Sequence, residues 1–216
     1  MAQSIVGIAN LALGNIGASV EIKDLTENTA EARACNRYYE TARDEVFRAF
    51  TWPFSLTVQN LALVATNPTT EWTYSYAYPS DALRFVRILG TTRNPNRSQR
   101  VSYSVGGDGL GRMLVYTDQI NAQGQYIQRV TDPTFWPADF VACLGLLLSV
   151  YIAPRVTSGD PYKLRSQNQQ LYQTKVDNAM SNAANEEQPD PVPPGEYLSS
   201  RDYDTGGRGT VFERLP

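Results

Sequence analysis

A helical pattern that ends abruptly in aromatic residues constrains this chain more than any other feature. Residues 29–50 place small and apolar side chains on one helical face, at offsets of 3, 7, 10, 14, 17 and 18 from the first member. This stripe consists of Ala32, Cys35, Tyr39, Ala42, Val46, Ala49 and Phe50. On the charged face, Asp44 and Arg48 stand in the favourable order for an ion pair one turn apart. Pro53 disfavours helical geometry in the residue before it, so we expect Thr51-Trp52-Pro53-Phe54 to end the helix and anchor its exit in a core.

Two further segments have apolar helical patterns. Residues 4–17 begin with Ser4, a candidate N-cap, and end with Gly17, which can adopt the left-handed conformation that terminates many helices. Residues 138–153 are almost wholly apolar, which predicts a helix buried on most sides. Pro154 is expected to end this helix, because proline interrupts the helical hydrogen bonds.

A fourth helix is predicted over residues 160–185. Asp160 is a good N-cap and Pro161 suits the first helical position. The apolar stripe of this helix is thin and consists of Leu164, Leu171, Val176 and Met180. Glutamine and asparagine cover much of the remaining surface, and a helix of this composition could contact another subunit.

Between the second and third helices the periodicity changes to that of strands. Trp72, Tyr74, Tyr76 and Tyr78 alternate with smaller residues, which predicts a strand with one aromatic face. Further strands are predicted at residues 83–89, 113–117 and 125–130. We therefore expect an antiparallel β region within residues 56–130. The tyrosine-rich strand contains no lysine or arginine, which favours core packing or a subunit interface over the stacking of nucleic-acid bases.

Residues 188–216, called here the C-terminal segment, differ in composition from the rest. Prolines are followed by Gly, Ser, Asp and Arg, so we expect an extended tail that is disordered until a partner holds it. Its aromatic and aliphatic residues are the candidates for partner binding: Tyr197, Val211, Phe212 and Leu215. The predicted fold class is therefore α+β, a bundle of about four helices with an inserted antiparallel β region and an extended C-terminal tail. The predicted domains are residues 1–187 and residues 188–216.

Composition narrows the chemistry. The chain has no histidine, which removes the commonest general base and the commonest zinc ligand. Its two cysteines, Cys35 and Cys143, lie in apolar helical contexts and are expected to be core residues. We predict no catalytic residues, no metal and no cofactor.

The charge is distributed unevenly. Residues 186–216 contain three arginines and seven acids, a net charge of 3 − 7 = −4, against −3 for the whole chain. The first 185 residues therefore carry −3 − (−4) = +1. A nearly neutral body is not that of a strongly basic nucleic-acid binder.

Two other functions stay open on the residues alone. A glycan hydrolase of the cell wall could use Glu40 or Glu45 as its acid, because paired carboxylates perform that chemistry. A DNA-binding module could use the arginines of residues 82–107, of which Arg93, Arg97 and Arg100 lie in or near a loop and could contact DNA phosphates or an acidic partner.

No membrane association is expected. The amino terminus shows no basic region followed by a long apolar core, so we expect no signal peptide. The apolar run of residues 140–153 is shorter than the roughly 20 residues that span a bilayer. A protein made in the cytoplasm follows from these two expectations.

With its elements laid out, the chain resembles the head-to-tail adaptors of short-tailed bacteriophages, the tail tubular protein A group. The likeness is carried by the opening helix Ile8-Ala9-Asn10-Leu11-Ala12-Leu13-Gly14-Asn15-Ile16-Gly17 and by the alanine-rich second helix with Ala30, Ala34 and Tyr38. It is also carried by Thr51-Trp52-Pro53-Phe54, where family members often show Gly-Trp-x-Phe, and by the apolar helix of residues 136–153 followed by a glutamine-rich helix.

The resemblance implies a structural role in the virion. Such adaptors form a ring, typically of twelve copies, beneath the portal protein, and the ring continues the DNA channel and supports the tail nozzle protein. DNA would pass through without specific binding, and the C-terminal segment would grip the portal. The location implied is the virion neck, after synthesis in the host cytoplasm.

Overall fold

The protein belongs to the α+β class, as predicted. The computed structural model describes residues 4–90, 100–157 and 159–186. Within those residues it contains four α-helices and two antiparallel sheets. In chain order they are α1 (Ile5–Asn15), α2 (Ala30–Ala49), β1 (Leu56–Asn60), β2 (Leu63–Thr66), β3 (Tyr74–Ala77), β4 (Ala82–Leu89), β5 (Tyr103–Gly107), β6 (Met113–Thr117), β7 (Gln123–Gln128), α3 (Ala138–Val156) and α4 (Pro161–Glu186).

The strands form two sheets that pack face to face. The inner sheet has the order β1-β7-β4, and the outer sheet has the order β2-β3-β6-β5. Tyr76 and Val115 of the outer sheet share a buried cluster with Phe85, Ile88 and Tyr126 of the inner sheet. The alternating aromatic residues therefore serve core packing, although the strand spans only residues 74–77 and leaves Trp72 outside it.

The inner sheet lies between the outer sheet and the helices. In β7, Tyr126 points into the cluster between the sheets, whereas the next residue, Ile127, belongs to the helical core. This alternation follows from the two-residue period of a strand. Gly124 in the same strand allows close packing, because a Cβ there would lie 2.7 Å from the ring of Phe85. The result is three layers: helices, inner sheet and outer sheet.

Helix α3 is the centre of the helical layer and packs against α1, α2 and α4. Asn168 of α4 meets Ser149 of α3, and Asn182 meets Asp139, so α4 runs antiparallel to α3. Phe47, late in α2, lies 4.5 Å by ring centroid from Phe140, early in α3. Tyr38, early in α2, stacks on Tyr151, late in α3. Helix α2 is therefore antiparallel to α3 as well. Helices α2 and α4 are therefore parallel to each other, and both pack against α3.

The helix starts and the first helix end follow the sequence signals. Ser4 accepts a hydrogen bond from the amide of Gly7, and Asp160 accepts from the amide of Tyr162, so both predicted N-caps are confirmed. Gly17 has a φ of +71°, and the amide of Ala18 donates to the carbonyl of Leu13 at 3.1 Å. This is the Schellman pattern that a glycine after the C-cap makes possible.

Helix α2 ends earlier than Pro53 requires. Its backbone becomes extended at Phe50, three residues before the proline. The indole nitrogen of Trp52 donates to the carbonyl of Val46 at 2.8 Å, and the guanidinium of Arg84 donates to the carbonyl of Arg48 at 3.2 Å. Side chains thus satisfy two carbonyls of the last turn, which would otherwise lack helical partners.

Three sequence expectations about the helices are corrected. Pro154 lies inside α3, which continues to Val156, because the missing amide affects only the last turn of the helix. The predicted pairing of Asp44 with Arg48 does not form. Asp44 is instead paired with Arg43 at 2.9 Å and with Arg129 at 2.8 Å, and the second pair joins α2 to the chain after β7.

The third correction concerns α4, whose buried face differs from the predicted stripe. The buried residues are Asn168, Tyr172, Val176 and Ala179. Leu171 faces outward and is 53% exposed. A sequence count of apolar residues could not place Asn168 on the buried face, because its burial depends on partners in two other helices.

Candidate interaction surfaces

An aromatic pair flanked by arginines lies where α2 and α3 meet. The rings of Tyr38 and Tyr151 are stacked, with centroids 5.6 Å apart and an interplanar angle of 9°. The guanidinium carbon of Arg155 lies 5.6 Å from the centroid of Tyr38, and its Nε donates to the tyrosine hydroxyl at 3.0 Å. Arg37 lies 5.8 Å from the same centroid. Contacts of this type combine a cation–π attraction with a hydrogen bond.

The surface formed by Tyr38, Tyr151, Arg37 and Arg155 is called here the arginine end, and it continues into a groove between α2 and α4. The hydroxyl of Tyr151 donates a hydrogen bond to the carboxylate of Glu45. This bond, the burial of the tyrosine and the negative charge of Glu45 raise the pKa of Tyr151 to about 12. The positive charge of Arg165 on α4 acts in the opposite direction and lowers the pKa of the same hydroxyl. Glu45 also lines the groove, so the two features are one continuous surface.

The α2/α4 groove has an apolar floor and polar rims, and its volume is about 370 Å³. The apolar part of its lining consists of Tyr172 and Val176, which are each 4% exposed, and of the more accessible Ala49 and Met180. Its rims carry Glu45, Arg48, Gln169, Gln173 and Asp177. Burial raises the pKa of Tyr172, which keeps that hydroxyl neutral at all ordinary pH values.

The position of α4 beside the groove depends on a buried polar contact. The side-chain amide of Asn168 donates to the hydroxyl of Ser149 at 2.9 Å and to the carbonyl of Asn15 at 3.2 Å. The hydroxyl of Ser149 in turn donates to the carbonyl of Leu146 at 2.6 Å. Because buried polar groups need partners, these contacts fix the register of α4 against α3 and the end of α1.

A second surface is an apolar cup at one end of the outer sheet. Leu114 pairs with Ala77 across the sheet, and these two residues form the cup with Val64, Met113, Tyr78 and Pro79. The volume of the cup is about 420 Å³. Val64 and Met113 are exposed at its rim, at 43% and 54%. Clustered exposed apolar residues of this kind mark surfaces that other molecules cover.

Glu40 and Glu45, the two residues considered as the acid for hydrolysis, are not brought together on one face, and Asp44 is paired with Arg43 and Arg129. Glu40 and Glu45 are both exposed. They are five residues apart on α2, which at 3.6 residues per turn separates their directions by roughly 140°. Glu45 is engaged with Tyr151. The hydrolase interpretation therefore finds no support in this geometry.

The arginines considered for DNA binding have different positions. Arg84 donates to Thr51 as well as to the end of α2, and Arg87 donates to Gln125 of the neighbouring strand at 2.6 Å. Arg84 therefore joins the inner sheet to the end of α2, whereas Arg87 is exposed on the sheet. Arg100 is exposed, whereas Arg93 and Arg97 lie outside the described residues. The predicted partner-binding residues Tyr197, Val211, Phe212 and Leu215 also lie outside the described residues.

The cysteines are buried core residues, as predicted. Cys35 and Cys143 are free thiols in the helical core, and burial raises the pKa of each to about 11. Within the described ranges, no group of three or more Cys, Asp or Glu side chains is arranged to hold a metal ion.

Helix α3 is longer than the apolar run that predicted it. With 19 residues, it is long and apolar enough to cross a membrane by length and composition alone. It is, however, 61% buried by the rest of the fold, as the core helix of a globular protein is. Most of this helix is therefore covered by the rest of the fold.

Sequence reasoning missed several residues of these surfaces. Tyr38 and Tyr151 were not expected to stack, because the antiparallel pairing of their helices is a tertiary feature. Phe47 was left out of the α2 stripe although it is wholly buried, and its position eight residues after Tyr39 was a usable signal. Arg43 is only 7% exposed, and its burial was missed because a charged residue is normally expected at the surface.

Comparison with known proteins adds no relative. No protein-family model matches the chain, and no curated protein sequence matches it significantly. The resemblance to phage adaptors therefore depends on the residues quoted for it.

Proposed function

We propose that the chain is a virion structural protein, a head-to-tail adaptor of a short-tailed phage. Copies of it would form a ring, of twelve by the resemblance, beneath the portal protein. The ring would continue the DNA channel and present a platform to the tail nozzle protein. In this proposal the helices are a bundle that forms the ring wall, the β region is an insertion that projects from it, and residues 188–216 are a tail that binds the portal.

The observation that carries the proposal is the meeting of two separate motifs of the resemblance. Trp52 and Phe54, from the aromatic exit of α2, both lie 5.2 Å by ring centroid from Phe140 at the start of α3. Trp136 lies 5.0 Å from the same ring. This aromatic cluster closes the base of the β region, where the chain leaves the helices and where it returns. Residues from two separate motifs of the resemblance thus pack in one aromatic cluster, which supports treating the two motifs as parts of a single sequence signature.

The exposed apolar residues also suit a ring subunit. A ring is built from heterologous contacts, so each copy needs unlike surfaces that fit one another. Leu171 on α4 is 53% exposed and Phe135 before α3 is 70% exposed, while Val64 and Met113 rim the cup on the distant outer sheet. Exposed apolar residues on several separate faces are compatible with a protein that has several neighbours.

The proposal is tested by portal binding of a chain that ends at residue 187. We expect this truncated protein to fold and unfold cooperatively but to lose stoichiometric binding to the portal assembly of the same virus. The matched control is the full chain with the exposed Lys23 replaced by glutamine, which should bind the portal normally. Unimpaired binding by the truncated protein would refute the role of the C-terminal segment.

A further inference from the structure

The α2/α4 groove has the features of a peptide-binding groove. Its floor is aromatic and aliphatic, its rims offer the amides of Gln169 and Gln173, and its sides are two parallel helices. Grooves of this kind bind segments that place apolar side chains on the floor and polar groups on the rims. The arginine end adds a charge preference that the rest of the groove lacks.

Two positive charges flank the stacked tyrosines at that end, and a third residue, Arg165, lies one helical turn before Gln169 of the groove rim on α4. Arg37, Arg155 and Arg165 form no ion pair, since the ion pairs within the described ranges involve other arginines. The guanidinium carbons of Arg37 and Arg155 are at most 5.8 + 5.6 = 11.4 Å apart, because both are measured to the ring of Tyr38. Glu45 is at the same end, and Tyr151 already donates to it. The other end of the groove is balanced, with Arg48 facing Asp177.

The chain itself carries a segment of matching chemistry. Residues 196–204 read Glu-Tyr-Leu-Ser-Ser-Arg-Asp-Tyr-Asp, with three acids, two tyrosines and one leucine. Helix α4 ends at Glu186, six residues after Met180 at the balanced end of the groove. The ten residues from 187 to 196 include four prolines, which favour turns and extended backbone over a continued helix. They are enough to reverse the chain.

The lengths agree as well. From Met180 back to Arg165 the groove follows 180 − 165 = 15 residues of α4, or ~23 Å at about 1.5 Å per residue. The nine residues of 196–204 can extend to ~30 Å. A segment attached to the same chain also has an effective concentration on the order of millimolar, which a separate partner must exceed.

We propose that residues 196–204 occupy the α2/α4 groove of their own chain, with Asp202 and Asp204 at the arginine end. The occupied groove holds the acidic, tyrosine-containing segment against α2 and α4 while the protein is free. This inference does not depend on the proposed function, because groove and segment belong to one chain.

Limited trypsin digestion of the full-length chain tests the proposal, because Arg201 lies in the docked segment and Arg208 and Arg214 lie beyond it. Mass spectrometry follows cleavage after each arginine, and a synthetic peptide of residues 187–216 gives the unprotected rates. We expect cleavage after Arg201 to be at least tenfold slower in the protein than in the peptide, with little protection at Arg208 and Arg214. Protection should be the same at 1 µM and 100 µM protein.

A variant set identifies the groove as the docking site. Replacing Arg37, Arg155 and Arg165 by glutamine should abolish the protection of Arg201, whereas Arg112→Gln in the outer sheet should not. Equal cleavage rates in protein and peptide would overturn the proposal. Protection that rises with protein concentration would mean that the segment binds a second copy of the chain. Protection that survives the triple change would mean that the segment binds outside the groove. Either result contradicts the proposal. The digestion needs no portal, so its outcome is separate from that of the portal-binding test.

Discussion

The buried contact of Asn168 permits a sharp test of how α4 is held. Asn168 is 4% exposed and Ser149 is wholly buried, and the hydrogen bond between them is 2.9 Å long. The change Asn168→Ala removes this bond and the bond to the carbonyl of Asn15. It also leaves a small void beneath α4 and removes one partner of the Ser149 hydroxyl.

The expected cost follows from these losses. Each hydrogen bond contributes about 0.5–1.5 kcal/mol net, so losing two costs about 1–3 kcal/mol. The Ser149 hydroxyl keeps its bond to Leu146, so no donor becomes orphaned and the cost should stay within that range. For a chain of this size about 2 kcal/mol corresponds to a fall in melting temperature of ~4–8 °C.

A double-mutant cycle isolates the pair. Urea unfolding of the wild type, Asn168→Ala, Ser149→Ala and the double variant can be followed by the fluorescence of the buried residues Trp52 and Trp136 and by circular dichroism. We expect a coupling free energy of about 1 kcal/mol, since contacting residues are not additive. A coupling below about 0.3 kcal/mol, with Asn168→Ala no less stable than wild type, would refute the placement of α4.

Three further predictions concern the two cores. Gly124→Ala should lower the free energy of unfolding in urea by about 1–3 kcal/mol, because a methyl group there would press on the buried ring of Phe85. Gly14→Ala, which has open space in α1, should raise it by about 0.5–1 kcal/mol. Similar values for both variants would contradict the packing of β7. Tyr39→Phe should leave thermal stability unchanged or raise it, because the hydroxyl of Tyr39 is buried without a partner, and a loss above about 1 kcal/mol would contradict this. The thiols of Cys35 and Cys143 should resist maleimide in the native protein at pH 8 and react in urea, because burial raises the pKa of each from 9.0 to about 11. Since the unfolded thiols ionise first, the same shift should lower stability as the pH rises from 9 to 11, and a flat profile there would argue against it.

Local signals predicted much of the helical layer. Ser4, Asp160 and Gly17 marked helix ends through hydrogen bonds that lie within a few residues, so the sequence alone could place them. The end of α2 could be predicted only in part. Its aromatic exit was visible, but Arg84 reaches it from a strand 36 residues away.

The β region and the surfaces were harder to predict for the same reason. β1, β2 and β5 were not predicted individually, because their exposed residues give little alternation, and β2 and β5 are edge strands of the outer sheet. The groove was not predicted, because it arises from the parallel placement of α2 and α4 against α3. Charge alone also misled: Arg84 looked available for DNA and instead joins the sheet to the helices.

The mass of the protein in solution, alone and mixed with the portal assembly of the same virus, tests the central claim most directly. Size-exclusion chromatography with light scattering should show a monomer for the chain alone. In the mixture it should show a large stoichiometric complex, with as many copies of this chain as of the portal protein. A chain that stays monomeric beside an intact portal assembly would contradict the adaptor proposal.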